Sequence, residues 1–270
     1  MIKDLGAGFA PKPPSQPSAG PVFFTLFSGS IPIVKEKGMS MLWPAILVSL
    51  RTASASMIVT FFLGLMAARY VAGMRRERLK AVVDGVLTLP LVLPPTVIGF
   101  FLLFIFGANR PVGRFFLDYF SYKIAFSWSA TVLAAVVVSF PLMYRAARGA
   151  LEQVPDELTN AARTLGLPEG RIFWRISMPA ALPGIAAGGV LAFARGMGEF
   201  GATAMIAGNI AGKTRTLPLA VYSAVAGGDM DEAYAIVMII VVISFITVAG
   251  MNHFLAVEKR RRQRGAPHDR

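Results

Sequence analysis

The chain contains no cysteine and only two histidines among its 270 residues. Without cysteine, neither a disulfide framework nor thiolate metal chemistry is available. His253 and His268 are too few for a metal site built from histidine. Charged residues are also scarce, at 16% of the chain, and its apolar stretches contain no clustered carboxylates, paired histidines or activated nucleophile. These absences argue against an enzyme, and we expect neither a catalytic residue nor a bound metal.

Long apolar stretches dominate the sequence. Apolar residues make up 55% of the chain and mean hydropathy is +0.59, which a soluble domain of this length could not hide from water. A helix needs about 20 residues to cross a hydrocarbon core roughly 30 Å thick. Five stretches meet that requirement, at 45–68, 85–107, 124–143, 180–208 and 233–257. The sequence therefore predicts an all-α, polytopic helical membrane protein with about five transmembrane helices.

The distribution of lysine and arginine predicts the orientation of these helices. The segments 69–80 and 145–175 and the tail 259–270 hold most of the cations. Because lysine and arginine in short loops stay in the cytoplasm, the N-terminus is predicted outside and the C-terminus in the cytoplasm. The net charge of +12 then reflects orientation and contact with anionic membrane lipid. The basic cluster at 259–264 also fits nucleic-acid binding, but it adjoins a span, so no nucleic acid is expected as a partner.

Composition divides the chain into three parts. Residues 1–43 interleave proline with glycine and serine, and their apolar patch at 22–27 is too short to span a membrane. We expect a poorly ordered N-terminal extension there. Residues 44–257 form the predicted transmembrane domain, which includes a loop at about 154–179. Residues 258–270 form a basic cytoplasmic tail.

The loop at 154–179 reads as two short helices joined by a tight corner. Asp156 and Glu157 suit the positive end of a helix dipole, and a helical period places four apolar residues on one face: Leu158, Ala161, Ala162 and Leu165. Gly166 can end this helix and Pro168 can begin the next. A second apolar strip precedes Pro179: Ile172, Phe173 and Ile176. Amphipathicity alone equally fits a loop that lies flat on the bilayer.

The loop resembles one shared by permease subunits of ATP-binding-cassette (ABC) importers. The resemblance rests on Ala161, Ala162, Gly166, Ile176 and Pro179. Two positions depart from the family pattern, Asn160 in place of glutamate and Met178 in place of leucine, although Glu157 supplies an acidic group one turn earlier. Three further segments resemble the molybdate permease branch of that family: 89–95, 192–203 and 214–218.

This resemblance implies a function and a set of partners. The loop would dock into a groove of a cytoplasmic ATPase, which would bind ATP and Mg²⁺, so this chain would bind no cofactor. Two permease copies would form a homodimer, and an extracytoplasmic binding protein would deliver the oxyanion. The expected function is import of molybdate or tungstate across the bacterial cytoplasmic (inner) membrane. A sulfate or thiosulfate ABC permease and an ATPase-independent secondary anion transporter remain alternatives.

Two features inside the predicted spans are candidates for a translocation path. Pro94 and Pro95 interrupt helical hydrogen bonding in the second span, which membrane helices tolerate beside protein or pore water. Arg195 and Glu199 stand one turn apart in the fourth span, so they can pair. Such a pair either locks the span to its neighbours or, with Thr203 and exposed helix ends, lowers the barrier for an oxyanion. Both alternatives are open from the sequence.

Overall fold

The computed structural model describes residues 36–74 and 76–265. All regular structure within these ranges is helical, which confirms the predicted all-α class. Residues 1–35, most of the predicted N-terminal extension, lie outside the described residues, as do residues 266–270 of the predicted tail. The first helix already begins at Glu36, before the predicted domain boundary at residue 44.

The helices are numbered here in chain order. The first five are α1 (Glu36–Ala72), α2 (Glu77–Val92), α3 (Pro95–Phe106), α4 (Pro111–Phe120) and α5 (Trp128–Glu152). The loop region holds α6 (Asp156–Thr164), α7 (Glu169–Ile172) and a π-helical turn (Phe173–Ser177). The remaining helices are α8 (Met178–Met197), α9 (Gly201–Ile206), α10 (Leu217–Ala226) and α11 (Met230–Gly265). The last helix continues into the predicted tail.

The predicted number of about five spans is confirmed, and one of the five is broken into two helices. Four helices of the described chain are long and apolar enough to cross a membrane: Leu42–Ala72, Trp128–Glu152, Glu169–Met197 and Met230–Gly250. The pair α2 and α3 supplies the fifth only as a broken unit, since the two helices meet at 108°. The predicted second span is thus two helices, and the interruption predicted at Pro94 and Pro95 falls between them. The orientation of the termini remains a prediction.

Two consecutive prolines cause the break between α2 and α3. A residue before proline is pushed out of the helical region, and Leu93 accordingly has ψ 139° and Pro94 has ψ 134°. Pro95 then occupies the start of α3, where its missing N–H costs no hydrogen bond. The sequence -Leu-Pro-Pro- thus ends one helix and begins another in a new direction.

Helices α1, α5 and α8 pack at the centre through small residues. A Cβ atom added at Gly184 would lie 2.6 Å from Ala150 Cβ, and one added at Gly188 would lie 2.5 Å from Ala146 Cβ. Added bulk at Gly64 would likewise meet the side chain of Met143 at 2.7 Å. Small residues let membrane helices approach closely enough for dispersion contacts to hold them together.

Hydroxyl groups also join α1 to α5. Thr52 bonds Thr131 at 2.9 Å between their hydroxyl oxygens, and Thr60 bonds Ser139 at 3.3 Å. All four side chains are buried, and a buried hydroxyl without a partner would be costly in an apolar interior. The two pairs therefore fix which faces of α1 and α5 meet.

Helices α4 and α10 are absent from the predicted spans, because both are too short to cross a membrane. The Leu217 N–H, at the first turn of α10, donates to Ser49 Oγ of α1 at 2.7 Å. This bond satisfies one of the backbone donors that every helix start leaves open. It fixes α10 against the first span.

Candidate functional site

A tight corner joins α6 to α7, as the sequence predicts. Gly166 has φ 75°, a left-handed conformation that glycine adopts at low cost. Its N–H donates to the Arg163 carbonyl oxygen at 2.9 Å, and the Leu167 N–H donates to the Ala162 carbonyl oxygen at 3.1 Å. These two bonds form the Schellman motif that ends many helices at glycine. The predicted corner at Gly166 is confirmed.

An ion pair spans this corner. Arg163 Nε lies 2.7 Å from Glu169 Oε1, and Arg163 Nη1 donates to Asn160 Oδ1 at 2.8 Å. The Glu169 carboxylate raises the pKa of the Arg163 guanidinium. Asn160, one of the two departures from the family pattern, thus binds within the loop itself. Glu157 is exposed on the same helix.

The outer face of α6 presents apolar side chains to the surroundings. Leu158 is 49% exposed and Leu165 is 80% exposed, with the exposed Ala161 between them on the same face. We call these three residues the α6 surface. Ala162, at the edge of the stripe, is buried instead. Of the four residues of the predicted apolar stripe, Ala162 is thus the one that the α6 surface does not present.

A cleft of about 580 Å³ adjoins the α6 surface. It lies between the end of α5 and the start of α8, and Leu158 forms part of its wall. Small residues line much of the remainder: Ala146, Gly149, Ala150, Ala181 and Gly184. The cleft and the α6 surface together offer an open concave region beside the exposed apolar face of α6.

The second loop helix runs directly into the membrane span. Residues Glu169–Met197 form one helix of 29 residues, and the Met178 N–H donates to the Phe173 carbonyl oxygen across the π turn. Pro179 lies in the first turn of α8 and is exposed, while Ile176 is half-buried. The helix that forms this span therefore begins ten residues before the end of the loop predicted at 154–179. The π turn already interrupts the regular ladder, so a residue without an N–H fits there.

The break between α2 and α3 lies against a second break, between α8 and α9. A Cβ atom added at Gly201 would lie 3.0 Å from Pro95 Cβ and 3.2 Å from the Thr96 nitrogen. One added at Gly99 would lie 2.7 Å from Ala202 Cα. The backbones of α3 and α9 therefore touch at Gly99, where an added methyl group would meet backbone, and approach closely at Gly201. The structure brings together two candidate regions that the sequence places about 100 residues apart.

Glu199 connects the two sides of the α8–α9 break. Its side chain is 2% exposed, and Oε2 lies 2.8 Å from Arg195 Nη1. Its Oε1 accepts the Ala202 N–H at 2.8 Å, at the positive end of α9, where a carboxylate is stabilised. The predicted Arg195–Glu199 pair is confirmed. The carboxylate also caps α9, a role the sequence analysis does not predict.

The remaining candidate residues for the translocation path differ in how far they are exposed. Pro94 is exposed, Pro95 is half-buried, and the Arg195 side chain is 31% exposed. Thr203 is only 1% exposed and lies inside the packing of α9. Of these residues, Pro94 and Arg195 thus offer the largest accessible surface at the two breaks.

A charged network that is absent from the sequence-based predictions joins α2 to α5. Glu152 Oε1 lies 2.9 Å from Arg148 Nε and 3.3 Å from Lys80 Nζ. Asp84 Oδ1 accepts hydrogen bonds from Arg148 Nη1 and, at 2.9 Å, from the Tyr144 hydroxyl. The sequence indicates this network only through Asp84, which lies one helical turn after Lys80 and directly before an apolar stretch.

Comparison with known sequences places most of the chain in one family. The family described as "Binding-protein-dependent transport system inner membrane component" matches residues 60–263. The molybdenum transport system permease protein ModB of Escherichia coli (strain K12) is 46% identical over 193 residues, 71% of this chain and 84% of that protein. ModB of Haemophilus influenzae is 41% identical over 205 residues, 76% of this chain and 89% of that protein.

Solved structures show the same fold at low sequence identity. The MetNI methionine ABC transporter, in an inward facing conformation, has a TM-score of 0.67 at 17% identity, over 82% of this chain and 98% of that chain. A bacterial alginate ABC transporter, in complex with an alginate-bound periplasmic protein, has a TM-score of 0.65 at 16% identity, over 85% and 83%. The likeness to both concerns the fold alone.

Proposed function

The chain belongs to the family of binding-protein-dependent transport system inner membrane components, and on that premise we propose that it is the permease subunit of an ATP-driven importer of molybdate or tungstate. The observation that carries the proposal is its 46% identity over 193 residues to a molybdenum transport permease. The chain is a multi-pass protein of the inner membrane. It is a transmembrane subunit and not an enzyme, since hydrolysis of ATP belongs to a separate subunit.

A permease of this family works with two kinds of partner. An ATPase subunit acts on the cytoplasmic side, and an extracytoplasmic binding protein brings the substrate. In the proposed complex ATP and Mg²⁺ bind to the ATPase, and this chain holds no cofactor. A doubly charged oxyanion cannot cross hydrocarbon, so the permease provides a polar route, and selection of the anion is assigned to the binding protein.

The α6 surface is the proposed docking site for the ATPase. Leu158 and Leu165 expose apolar area that burial against a partner would remove from water, and Ala161 between them leaves room for close approach. Helices that lie on a bilayer instead carry lysine and arginine on their polar face. Here α6 exposes Asp156 and Glu157, which anionic lipid repels, and its one arginine, Arg163, is already paired with Glu169. The charges therefore favour a protein groove over the membrane surface.

The proposed transporter contains two copies of this chain. None of the residues of α2, all of which the structure describes, is buried within one copy. A path bounded by α2 and the Pro94–Pro95 break therefore needs a second wall, which a symmetric second copy supplies. Light scattering of the purified transporter tests this point, with two permease chains per particle expected and one chain contradicting it.

The proposed cycle links ATP to the path. ATP binding closes the two ATPases and draws the α6 surfaces together, and because α7 and α8 form one helix, this displacement reaches the α8–α9 break. The path then opens to the outside, and hydrolysis resets it. In this account Glu199 holds the break together, while Pro94, Pro95 and Arg195 border the path. Thr203 borders it only after α9 moves.

Reconstitution with defined subunits tests the function. Proteoliposomes holding the permease, its ATPase and the binding protein should accumulate labelled molybdate with ATP. Omission of ATP, of the ATPase or of the binding protein should each remove the uptake. Uptake that persists without the ATPase and follows an imposed ion gradient would contradict the proposal and support a secondary transporter.

A further inference from the structure

Both ion pairs and apolar contacts hold helix α2 to the protein. Val83 and Leu87 are partly buried against the core formed by α1, α5 and α8. Lys80 and Asp84 lie on the same face of α2, since positions 80, 83, 84 and 87 follow the helical repeat. The Lys80 side chain is 19% exposed and that of Asp84 is 33% exposed. Two of these four positions are therefore charged.

The charges of this contact alternate in sign and balance. Lys80 pairs with Glu152, Glu152 with Arg148, and Arg148 with Asp84. The Tyr144 hydroxyl adds a fourth contact, to Asp84. Partly buried charges in a membrane protein are costly unless each has a partner. A shift of α2 by one helical turn would separate the two ion pairs that join the helices, Lys80–Glu152 and Asp84–Arg148. Apolar side chains tolerate such a shift better, because their contacts are not directional. The network therefore fixes the register of α2 on α5.

The network lies between the two regions assigned to transport. Glu152 is the last residue of α5, and α6 begins at Asp156. At its other end, α2 leads into the Pro94–Pro95 break, which touches α9 at Gly201. Movement of α6 therefore reaches the end of α5 first, and the charged network is the link from there to α2.

We propose that Lys80 and Asp84 of α2, with Arg148 and Glu152 of α5, form a latch that makes α2 move with α5 during transport. The latch rests on the proposed function, since it assigns a route by which the ATPase moves the path. These four are positioning residues, because none is placed in contact with the anion or the nucleotide. Loss of the latch should leave ATP hydrolysis running without matched uptake.

Reversal of charge tests the latch directly. Asp84→Arg alone sets a second cation of α2 against Arg148, and Arg148→Asp alone sets an acid of α5 against Asp84. Each should lower molybdate uptake per ATP hydrolysed by about tenfold. The double variant restores opposite charges across the contact, with two cations on α2 and two acids on α5. Its uptake per ATP should return to within about threefold of the unaltered protein.

The exposed Arg78 of α2 provides a matched control. Arg78→Asp reverses a charge on the same helix outside the network and should leave uptake per ATP unchanged. Single variants with normal uptake per ATP would overturn the latch. So would a double variant that assembles with the ATPase but remains as uncoupled as the single ones. Absence of uptake by the unaltered complex would instead contradict the proposed function.

The distance between α2 and α5 provides a second test, which does not depend on whether the charge-reversal variants assemble. The chain has no cysteine, so cysteines at the exposed positions Ala81 and Arg145 can carry the only two spin labels per chain. The distance between α2 and α5 should be the same in the nucleotide-free and ATP-trapped complexes, and Asp84→Asn should broaden it. A distance that changes between these states in the unaltered network would overturn the latch whatever the uptake.

Discussion

Single residues fix the contact between the two helix breaks. Gly99 and Gly201 allow the backbones of α3 and α9 to touch, and Glu199 binds both Arg195 and the start of α9. The sequence predicts the Arg195–Glu199 pair because one turn of helix separates the two residues. It cannot predict the bond to Ala202, since that bond requires the chain to leave the helix after Met197.

The close approach at Gly99 predicts a loss of stability in Gly99→Ala. The new methyl group would lie 2.7 Å from Ala202 Cα, and forcing extra volume into packed backbone costs about 1–3 kcal/mol. The melting temperature of the purified permease should fall. Gly85→Ala is the matched control, because nothing lies within 4 Å of its added Cβ. An equal fall in both variants would show that the α3–α9 contact is not the cause.

Glu199 predicts different outcomes for two substitutions. Glu199→Gln removes the charge opposite Arg195 but keeps an oxygen that can accept the Ala202 N–H. Glu199→Ala removes both and leaves a buried backbone donor without its partner. We expect Glu199→Ala to be the less stable variant, by about 1–3 kcal/mol, in thermal unfolding of detergent-solubilised protein. Equal stability of the two variants would contradict the capping role.

At the scale of elements, hydrophobic length predicts the spans and the prolines predict one of the breaks. The angle of 108° between α2 and α3 depends on what α3 packs against, which the local sequence does not contain. Pro179, by contrast, does not mark a break, because a π turn accommodates it within a continuous helix. Helix α10 is missed because its length gives no membrane signal and its start is satisfied by the distant Ser49.

The α6 surface predicts a defect in assembly without a defect in folding. Leu165 is 80% exposed, so Leu165→Asp should change the permease's own stability by no more than about 0.5 kcal/mol. Its affinity for the ATPase should fall by about tenfold or more, because an apolar contact is replaced by a buried charge. Titration of the ATPase onto nanodiscs that hold either the unaltered permease or Leu165→Asp measures the two affinities. Leu117→Asp on α4, also exposed, is the control, and normal binding by Leu165→Asp would contradict the docking site.

At the scale of the whole molecule, the sequence predicts the class and the number of spans but not which distant side chains meet. Asp84 and Tyr144 are 60 residues apart and are joined only because α2 packs on α5. The docking groove, the second permease copy and the binding protein lie outside this chain. The resemblance of its loop and span segments to the permease family predicts them, whereas composition and periodicity do not.

Competition between oxyanions during uptake tests whether the chain imports molybdate. Vesicles holding this permease with its ATPase and binding protein receive labelled molybdate and ATP, together with excess unlabelled tungstate or sulfate. The account predicts ATP-dependent molybdate uptake that tungstate suppresses and excess sulfate leaves intact. Uptake dominated by sulfate would contradict the assigned substrate while preserving the importer, and no ATP-dependent oxyanion uptake at all would contradict the account itself.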